Sequence, residues 1–231
     1  MTKILFVCHG NICRSPMAEF VLKDLLRRAG LEEDFRVDSA ATSSEELGNP
    51  VYPPVRRILA EHGIDCGGKT ARRIRRADYD DYDLLIGMDE ENRWYMRRTF
   101  GGDPEGKLKN LLDYAGRPGE SVADPWYTRD FQAAWDDIVD GCEGLLYSLT
   151  GTVLLDFSAC ADIPALYREL RDKMAWEDWY GENLDALYDI LTGLPHRGSH
   201  FAITMPAEDA PPEVKLYARR ICDIFEEATI Q

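Results

Sequence analysis

Residues 3–20 have the sequence KILFVCHGNICRSPMAEF. The run Lys3–Val7 is apolar and β-forming, and a polar segment containing glycine follows it at once. Apolar residues then recur at helical spacing, which predicts a helix with Pro16 at its first position and Gly30 as its C-terminal cap. We therefore expect a strand, a polar loop and a helix in that order. In such a connection, the backbone N–H groups at the helix start can converge on an anion.

Strand and helix patterns continue to alternate along the chain. They predict strands at 36–40 and 83–88, and helices at 54–62, 90–99 and 131–149. This alternation favours an α/β fold, a parallel sheet with helices on both faces in three layers. After Gly151, a further strand at 152–157 and helices at 163–174 and 184–191 predict a second, small α/β domain. We expect one domain at residues 1–150 and another at 152–231.

Composition excludes several classes of function. The 231 residues are 45% hydrophobic and carry a net charge of -15, which disfavours general binding to nucleic acid or to an anionic membrane. Residues 151–231 hold 7 basic and 15 acidic side chains, so a basic protein partner is allowed there. No apolar run reaches membrane length and no signal peptide is evident, so we expect a cytoplasmic protein. The six cysteines form no C-x-x-C pair, and we expect free thiols rather than a zinc site.

Cys8 and Arg14 are the candidate reactive pair. Five residues separate them, and both lie in the loop between the first strand and the first helix. We expect the loop to present Cys8 as a thiolate nucleophile, and Arg14 to hold two phosphoryl oxygens by paired hydrogen bonds. The alternative is that Cys8 is only a small buried residue at the end of a strand.

Four segments carry a resemblance to a known family. They are VCHGNICRSPMAE at 7–19, VDSAATS at 37–43, MDE at 88–90 and DPWY at 124–127. With them, residues 3–150 resemble the low-molecular-weight protein tyrosine phosphatases. The resemblance implies that Cys8 attacks phosphorus, that Arg14 binds the phosphoryl group, and that Asp124 protonates the leaving oxygen and then activates water. It also implies a phosphotyrosine protein as substrate, with no metal and no cofactor.

The same resemblance implies further site residues. Ser15 should stabilise the Cys8 thiolate, and Cys13 should form a protective disulfide under oxidation. Trp126 and Tyr127 should form one wall of a slot for an aryl phosphate. The phosphate-binding loop and its support should consist of His9, Gly10, Asn11, Ile12, Cys13, Ser15 and Ser39.

Two other activities are open on this fold. Phosphoarginine hydrolysis is the first, although Ile12 favours phosphotyrosine because the phosphoarginine-specific relatives carry threonine there. Arsenate reduction is the second, but it needs a relay of cysteines, and neither Cys66 nor Cys142 forms an obvious resolving pair. Three departures from the better-known members affect substrate preference: Tyr52 replaces an aspartate, Pro54 an arginine, and Lys69 a histidine that supports the loop.

Residues 63–70, GIDCGGKT, match the nucleotide-binding pattern G-x-x-x-x-G-K-[ST] letter for letter. That motif requires a strand directly before the loop. The preceding residues 54–62 have helical spacing instead, with Gly63 as the cap. We therefore predict that this segment is not an ATPase loop.

The C-terminal part contains WYGENLDALYDILTG at 179–193, which combines aromatic residues with an acidic helix. It resembles barstar, the intracellular inhibitor of a basic ribonuclease, from Thr152 to Gly193 and more weakly to Ala228. The resemblance implies that acidic groups occupy the phosphate positions of the ribonuclease. The implied contact residues are Trp179, Asp185, Tyr188, Asp189, Gly193 and Glu227.

Two features separate the C-terminal part from barstar. Leu194 stands where the inhibitor has an aromatic residue, and the sequence stops at Gln231, where the inhibitor would continue into a final strand. We expect a domain that lacks that strand or closes its sheet differently. The alternatives are a docking module with another partner, and a non-enzymatic binding protein in which this domain alone supplies the function.

Overall fold

The computed structural model describes residues 1–174, 181–193 and 200–229. The chain forms two compact units, Met1–Ser148 and the residues from Leu149 onward. The first unit is built on four parallel strands in the spatial order β2-β1-β3-β4. These strands are β1 (Thr2–Cys8), β2 (Phe35–Ala41), β3 (Leu84–Gly87) and β4 (Leu108–Asn110). The parallel sheet confirms the predicted α/β class.

Helices connect the strands of this unit. Those that begin in it are α1 (Arg14–Arg28), α2 (Pro53–Glu61), α3 (Asp78–Asp81), α4 (Glu90–Phe100), α5 (Pro125–Thr128) and α6 (Phe131–Thr150). The sequence pattern predicted α1, α2, α4 and α6 to within a few residues. The single-turn helices α3 and α5 and the three-residue β4 are too short to show a periodicity, and the pattern missed them.

Strand β1 is the centre of the sheet. It pairs with β2 on one side and with β3 on the other, and the side chains of Ile4–Val7 are fully buried. Leu5 and Val7 share a core with Met96 of α4, while Ile4 and Phe6 alternate with them and point to the opposite face. A strand buried on both faces requires a continuous apolar run, which explains why KILFV was recognisable.

Helix α1 starts earlier than predicted. It begins at Arg14, so Pro16 is its third residue and not its first. Proline is tolerated there because the N–H groups of the first turn have no partner within the helix. The predicted role of Gly30 in ending the helix is confirmed. This glycine has a φ of +69°, and its N–H donates to the carbonyl of Arg27 at 3.1 Å.

Helix α6 lies close to the segment that follows β4. A Cβ built on Gly144 would overlap the carbonyl oxygen of Tyr114 and lie 2.7 Å from the carbonyl carbon. A Cβ on Gly141 would lie 2.9 Å from Cδ1 of Leu111. Both distances are shorter than side-chain packing allows, so this contact requires glycine at the two positions.

Among its described residues, the second unit contains two parallel strands, β5 (Thr152–Asp156) and β6 (His200–Thr204). Its helices are α7 (Ile163–Met174), α8 (Leu184–Gly193) and α9 (Pro212–Thr229). The core includes Leu155, Leu187 and Phe225. In this core, the hydroxyls of Tyr167 and Tyr217 lie 2.8 Å apart. Strand β5 and helices α7 and α8 were predicted.

The sequence pattern missed β6 and α9. Helix α9 has Val214, Ala218, Ile221 and Phe225 at helical spacing, and all four side chains are buried. That periodicity was present in the sequence and could have found the helix. In the described part of the chain, no helix is long and apolar enough to cross a membrane.

Candidate active site

The loop from Cys8 to Arg14 connects the end of β1 to the start of α1. Its backbone is held by neighbouring segments: the N–H of Thr42 donates to the Cys8 carbonyl at 2.9 Å, and the N–H of Tyr52 donates to the Ile12 carbonyl at 2.9 Å. The loop lies at the carboxyl edge of the parallel sheet. In open α/β sheets, this edge is where ligands bind.

Cys8 lies at the base of the loop, with only 3% of its surface exposed. Its Sγ lies 3.0 Å from Oγ of Ser15, and the backbone N–H of Asn11 donates to it at 3.3 Å. Two polar groups can therefore donate to the sulfur. These contacts hold the sulfur at the base of the cavity, where its thiolate form would act as the nucleophile.

Asn11 organises the loop from its centre. It is buried and has a φ of +57°, a conformation that asparagine adopts more readily than most residues. Its Oδ1 accepts from the N–H of Arg72 at 3.1 Å, and its Nδ2 donates to Oγ of Ser15 at 2.9 Å and to Oγ of Ser39 at 2.7 Å. The structure therefore brings Asn11, Ser15 and Ser39 together beneath Cys8.

A buried carboxylate supports this network. Glu19 is 3% exposed, and its Oε2 accepts from the hydroxyl of Ser39 at 2.6 Å. Lys69 Nζ lies 2.7 Å from the same oxygen and also donates to the Ser39 carbonyl at 3.2 Å. Lys23 Nζ lies 2.6 Å from Oε1. An ionised carboxylate only accepts hydrogen bonds, so the Ser39 hydroxyl donates its proton to Glu19. The lone pairs of the Ser39 oxygen are then left to accept from Nδ2 of Asn11.

Arg14 is clamped by two carboxylates. Its side chain is 6% exposed; Nη1 donates to Oδ2 of Asp89 at 2.8 Å, and Nη2 lies 2.7 Å from Oδ2 of Asp124. Burial alone would lower the pKa of Arg14, but Cys8, Asp124 and Asp89 outweigh it and raise the pKa above its usual value. The guanidinium therefore stays charged beside the nucleophile.

Asp124 is positioned by a helix start. Its Oδ1 accepts from the N–H of Trp126 at 2.9 Å, which makes it the N-cap of α5, and Pro125 occupies the first helical position. With Oδ1 engaged in the cap, Oδ2 is the atom that faces Arg14. The structure thus brings the three predicted catalytic residues, Cys8, Arg14 and Asp124, to one place.

These residues line an open cavity of about 290 Å³. Trp126 and Tyr127 form one wall, with 52% and 83% of their surfaces exposed. The Trp126 ring lies 6.4 Å from the ring of Tyr52, which in turn lies 6.0 Å from the ring of Phe131. An aromatic wall beside a buried cation and a buried thiol suits an aryl group that carries an anionic head.

Two features of the cysteines bear on the chemistry. Cys13 also lines the cavity, but burial, and then the nearby Cys8 and Asp124, raise its pKa to about 12, so it remains a thiol at working pH. Cys142 is fully buried, its Sγ donates to the Ala18 carbonyl at 3.7 Å, and burial raises its pKa strongly. A buried, protonated Cys142 cannot serve in a relay, which disfavours arsenate reduction.

Sequence reasoning missed the roles of Asp89 and Glu19. Asp89 is the second residue after β3 and lies at the same sheet edge as the loop, a placement that could have indicated its role. Lys69, the lysine of the GIDCGGKT segment, binds Glu19 instead of facing a nucleotide. Helix α2, not a strand, precedes that segment, and Gly63 has a φ of +72°. The geometry agrees with the prediction that it is not an ATPase loop.

In the second unit, helix α8 presents Asp185, Tyr188 and Asp189 to solvent. Glu227 is exposed near the end of α9, and Gly193 is the last residue of α8. Trp179 and Leu194 lie outside the described residues.

Comparison with protein families finds two matches along the chain. The description of the first is low molecular weight phosphotyrosine protein phosphatase, and it covers residues 3–154. The chain belongs to this family. Its first unit is therefore a cysteine-dependent phosphatase. The second match is to barstar, the barnase inhibitor, over residues 150–231.

Individual relatives match the first unit. The low molecular weight protein-tyrosine-phosphatase YfkJ of Bacillus subtilis is 41% identical over 150 residues, which cover 64% of this chain and 96% of YfkJ. Its crystal structure superposes with a TM-score of 0.62 and 94% of that chain covered. PtpA of Staphylococcus aureus is 32% identical over 63% of this chain and 92% of its own. A Drosophila arginine phosphatase structure is 32% identical, with a TM-score of 0.59, over 64% of this chain and 98% of its own.

Proposed function

We propose that this protein hydrolyses phosphotyrosine in proteins through a phosphocysteine formed on Cys8. The observation that carries the proposal is the arrangement around one cavity: the Cys8 sulfur is 3.0 Å from the Ser15 hydroxyl, and Arg14 and Asp124 line the same space. An aromatic wall completes the slot. The relatives named as protein tyrosine phosphatases support the choice of substrate.

In the first step, the phosphoryl oxygens bind the guanidinium of Arg14 and replace Asp124 there. The Cys8 thiolate attacks phosphorus, an S–P bond forms, and the bond between phosphorus and the tyrosine oxygen breaks. Asp124, released from Arg14, takes up a proton from solvent and gives it to the departing phenolate oxygen. Arg14 and the loop N–H groups stabilise the charge on the equatorial oxygens.

In the second step, water hydrolyses the intermediate. Asp124, now a carboxylate, takes a proton from the water as its oxygen attacks phosphorus. The S–P bond breaks, and inorganic phosphate leaves with Cys8 restored as a thiolate. The Ser15 hydroxyl accepts from Asn11 and lies 3.4 Å from the Ala40 carbonyl and 3.0 Å from the sulfur, so its one proton can turn to the departing sulfur. All the groups that these steps need belong to the chain, the substrate or water.

The test is hydrolysis by the full chain, in a chelating buffer, of peptides that carry phosphotyrosine, phosphoserine or phosphoarginine. We expect phosphotyrosine turnover that Cys8→Ser abolishes and that Asp124→Ala lowers by roughly 10²–10⁴-fold, the usual contribution of a general acid. Cys222→Ser, in the second unit, is the matched control and should have full activity. Preferred turnover of phosphoarginine, or activity that survives Cys8→Ser, would refute the proposal.

We propose further that residues 1–150 act as the phosphatase domain and residues 152–231 as a domain that binds a basic ribonuclease. The barstar match and the exposed Asp185 and Asp189 on one helix support this second role. The two carboxylates lie one helical turn apart and so share a face. Opposite charge on the partner would speed association.

Calorimetric titration of the full chain with barnase tests the binding role. We expect tight, salt-dependent binding that the double variant Asp185→Ala/Asp189→Ala weakens by at least roughly tenfold, since truncating a charge at an interface commonly costs more than 1.4 kcal/mol. Glu213→Ala, at the other end of α9 from Glu227, is the control and should bind normally. No binding by the unmodified chain would refute the ribonuclease-binding role.

A further inference from the structure

Three glutamates stand at the mouth of the cavity that contains Cys8 and Arg14. We call Glu45, Glu46 and Glu91 the acidic rim; all three line the same cavity as the reactive pair. Glu45 and Glu46 are consecutive residues in the segment after β2, and Glu91 lies in the first turn of α4. The rim is therefore made by two separate segments that meet at one opening.

Contacts hold the rim in place. Glu45 Oε2 lies 3.0 Å from Nε2 of His9, which also lines the cavity. Glu46 accepts from Nδ2 of Asn49 at 2.6 Å, and its Cγ lies 3.2 Å from the position that a Cβ on Gly10 would take. The lack of a side chain at Gly10 thus lets Glu46 lie across the loop. These contacts fix where the carboxylates sit, and both glutamates remain near solvent.

The charged side chains at the mouth of the cavity are predominantly acidic. Among the described residues that line the cavity, Arg14 is the only lysine or arginine, and it lies at the floor, almost fully buried. A phosphoryl group that reaches the floor meets this cation. The residues on either side of the phosphotyrosine would remain outside, beside the rim carboxylates, where like charges repel and opposite charges attract.

We propose that the acidic rim selects phosphotyrosines that are flanked by lysine or arginine and rejects those flanked by aspartate or glutamate. This inference rests on the proposed phosphotyrosine activity and adds its substrate class. Each exposed ion pair should change kcat/KM by roughly two- to fivefold, the usual range for solvent-accessible pairs. With pairs at several positions, the ratio between a basic and an acidic peptide should reach at least roughly tenfold at low salt.

The test compares three phosphotyrosine peptides that differ only in the two residues on each side, which are lysine, glutamine or glutamate. The full chain is assayed for kcat/KM at low salt and at 1 M salt. The rim variant is Glu45→Gln/Glu46→Gln/Glu91→Gln. The matched control, Glu32→Gln/Glu33→Gln/Glu61→Gln, removes the same charge from exposed positions that do not line the cavity.

We expect the unmodified chain and the control to prefer the lysine peptide over the glutamate peptide by tenfold or more at low salt. In the rim variant, that ratio should fall towards one, and 1 M salt should reduce it because the screening length is then about 3 Å. Equal rates for the three peptides in the unmodified chain, or an undiminished ratio in a rim variant that still hydrolyses an aryl phosphate, would overturn the inference. Absence of hydrolysis for all three peptides would refute the phosphotyrosine activity itself.

Discussion

Replacing Asp89 with asparagine should impair phosphate binding without loosening the fold. One oxygen of Asp89 accepts from the N–H of Asn92 at 2.7 Å and caps α4, and the other accepts from Nη1 of Arg14 at 2.8 Å. Asparagine caps helices as well as aspartate does, so its single oxygen can keep the cap. Its amide nitrogen then faces the Arg14 donor, and the charged hydrogen bond is lost.

The size of the effect follows from that bond. A hydrogen bond to a charged group contributes about 1.5–3 kcal/mol, which corresponds to roughly a 10- to 150-fold change in kcat/KM. We expect Asp89→Asn to lose this much activity on an aryl phosphate and to bind inorganic phosphate more weakly. Asp89→Ala should lose as much activity and also the cap, worth about 1 kcal/mol, which lowers the inactivation temperature by roughly 2–4 °C in a unit of this size.

Steady-state assays, phosphate inhibition constants and thermal inactivation curves of the two variants provide the measurements. We expect activity to fall in both variants and thermal stability to fall only in Asp89→Ala. If Asp89→Asn hydrolyses the aryl phosphate within twofold of the unmodified chain, Asp89 does not position Arg14. If it is as thermolabile as Asp89→Ala, asparagine has not kept the cap.

Two further predictions concern packing and thiol reactivity. Gly144→Ala should lower the free energy of unfolding by about 3 kcal/mol or more, measured by denaturant titration, because the new Cβ would overlap the Tyr114 carbonyl. Ser148→Ala on the same helix is the control. A Gly144→Ala variant as stable as the unmodified chain would contradict the packing. Between pH 6 and 9, iodoacetate should alkylate Cys8 but not Cys13, because the raised pKa of Cys13, about 12, keeps it protonated throughout that range. Mass spectrometry of the digested protein reads both sites, and comparable labelling of Cys13 would contradict that pKa.

The first strand and loop could be predicted because their constraints are local. A strand buried on both faces needs an apolar run, and a loop that turns into a helix needs glycine and small polar residues within a short stretch. The error at Pro16 was one of position within the first turn, where proline is tolerated at more than one place. Local rules define an element better than they define its first residue.

The missed parts of the site depend on contacts between distant segments. Asp89 reaches Arg14 across 75 positions of the sequence, and Lys69 reaches Glu19 across 50. Neither residue lies in a periodic pattern, and their roles follow from which strands are neighbours in the sheet. The resemblance assigned a role to Asp124 but none to Asp89, although Asp89 lies in the quoted MDE segment, and it showed Lys69 only as a departure from the family.

Trapping the covalent intermediate tests directly whether Cys8 is the nucleophile. The full chain is mixed with a phosphotyrosine peptide, quenched in acid during turnover, digested and examined by mass spectrometry. We expect a phosphoryl group on the digestion product that contains Cys8, and we expect neither this group nor turnover in the Cys8→Ser variant. A phosphoryl group on any other residue, or undiminished turnover by Cys8→Ser, would contradict this role of Cys8.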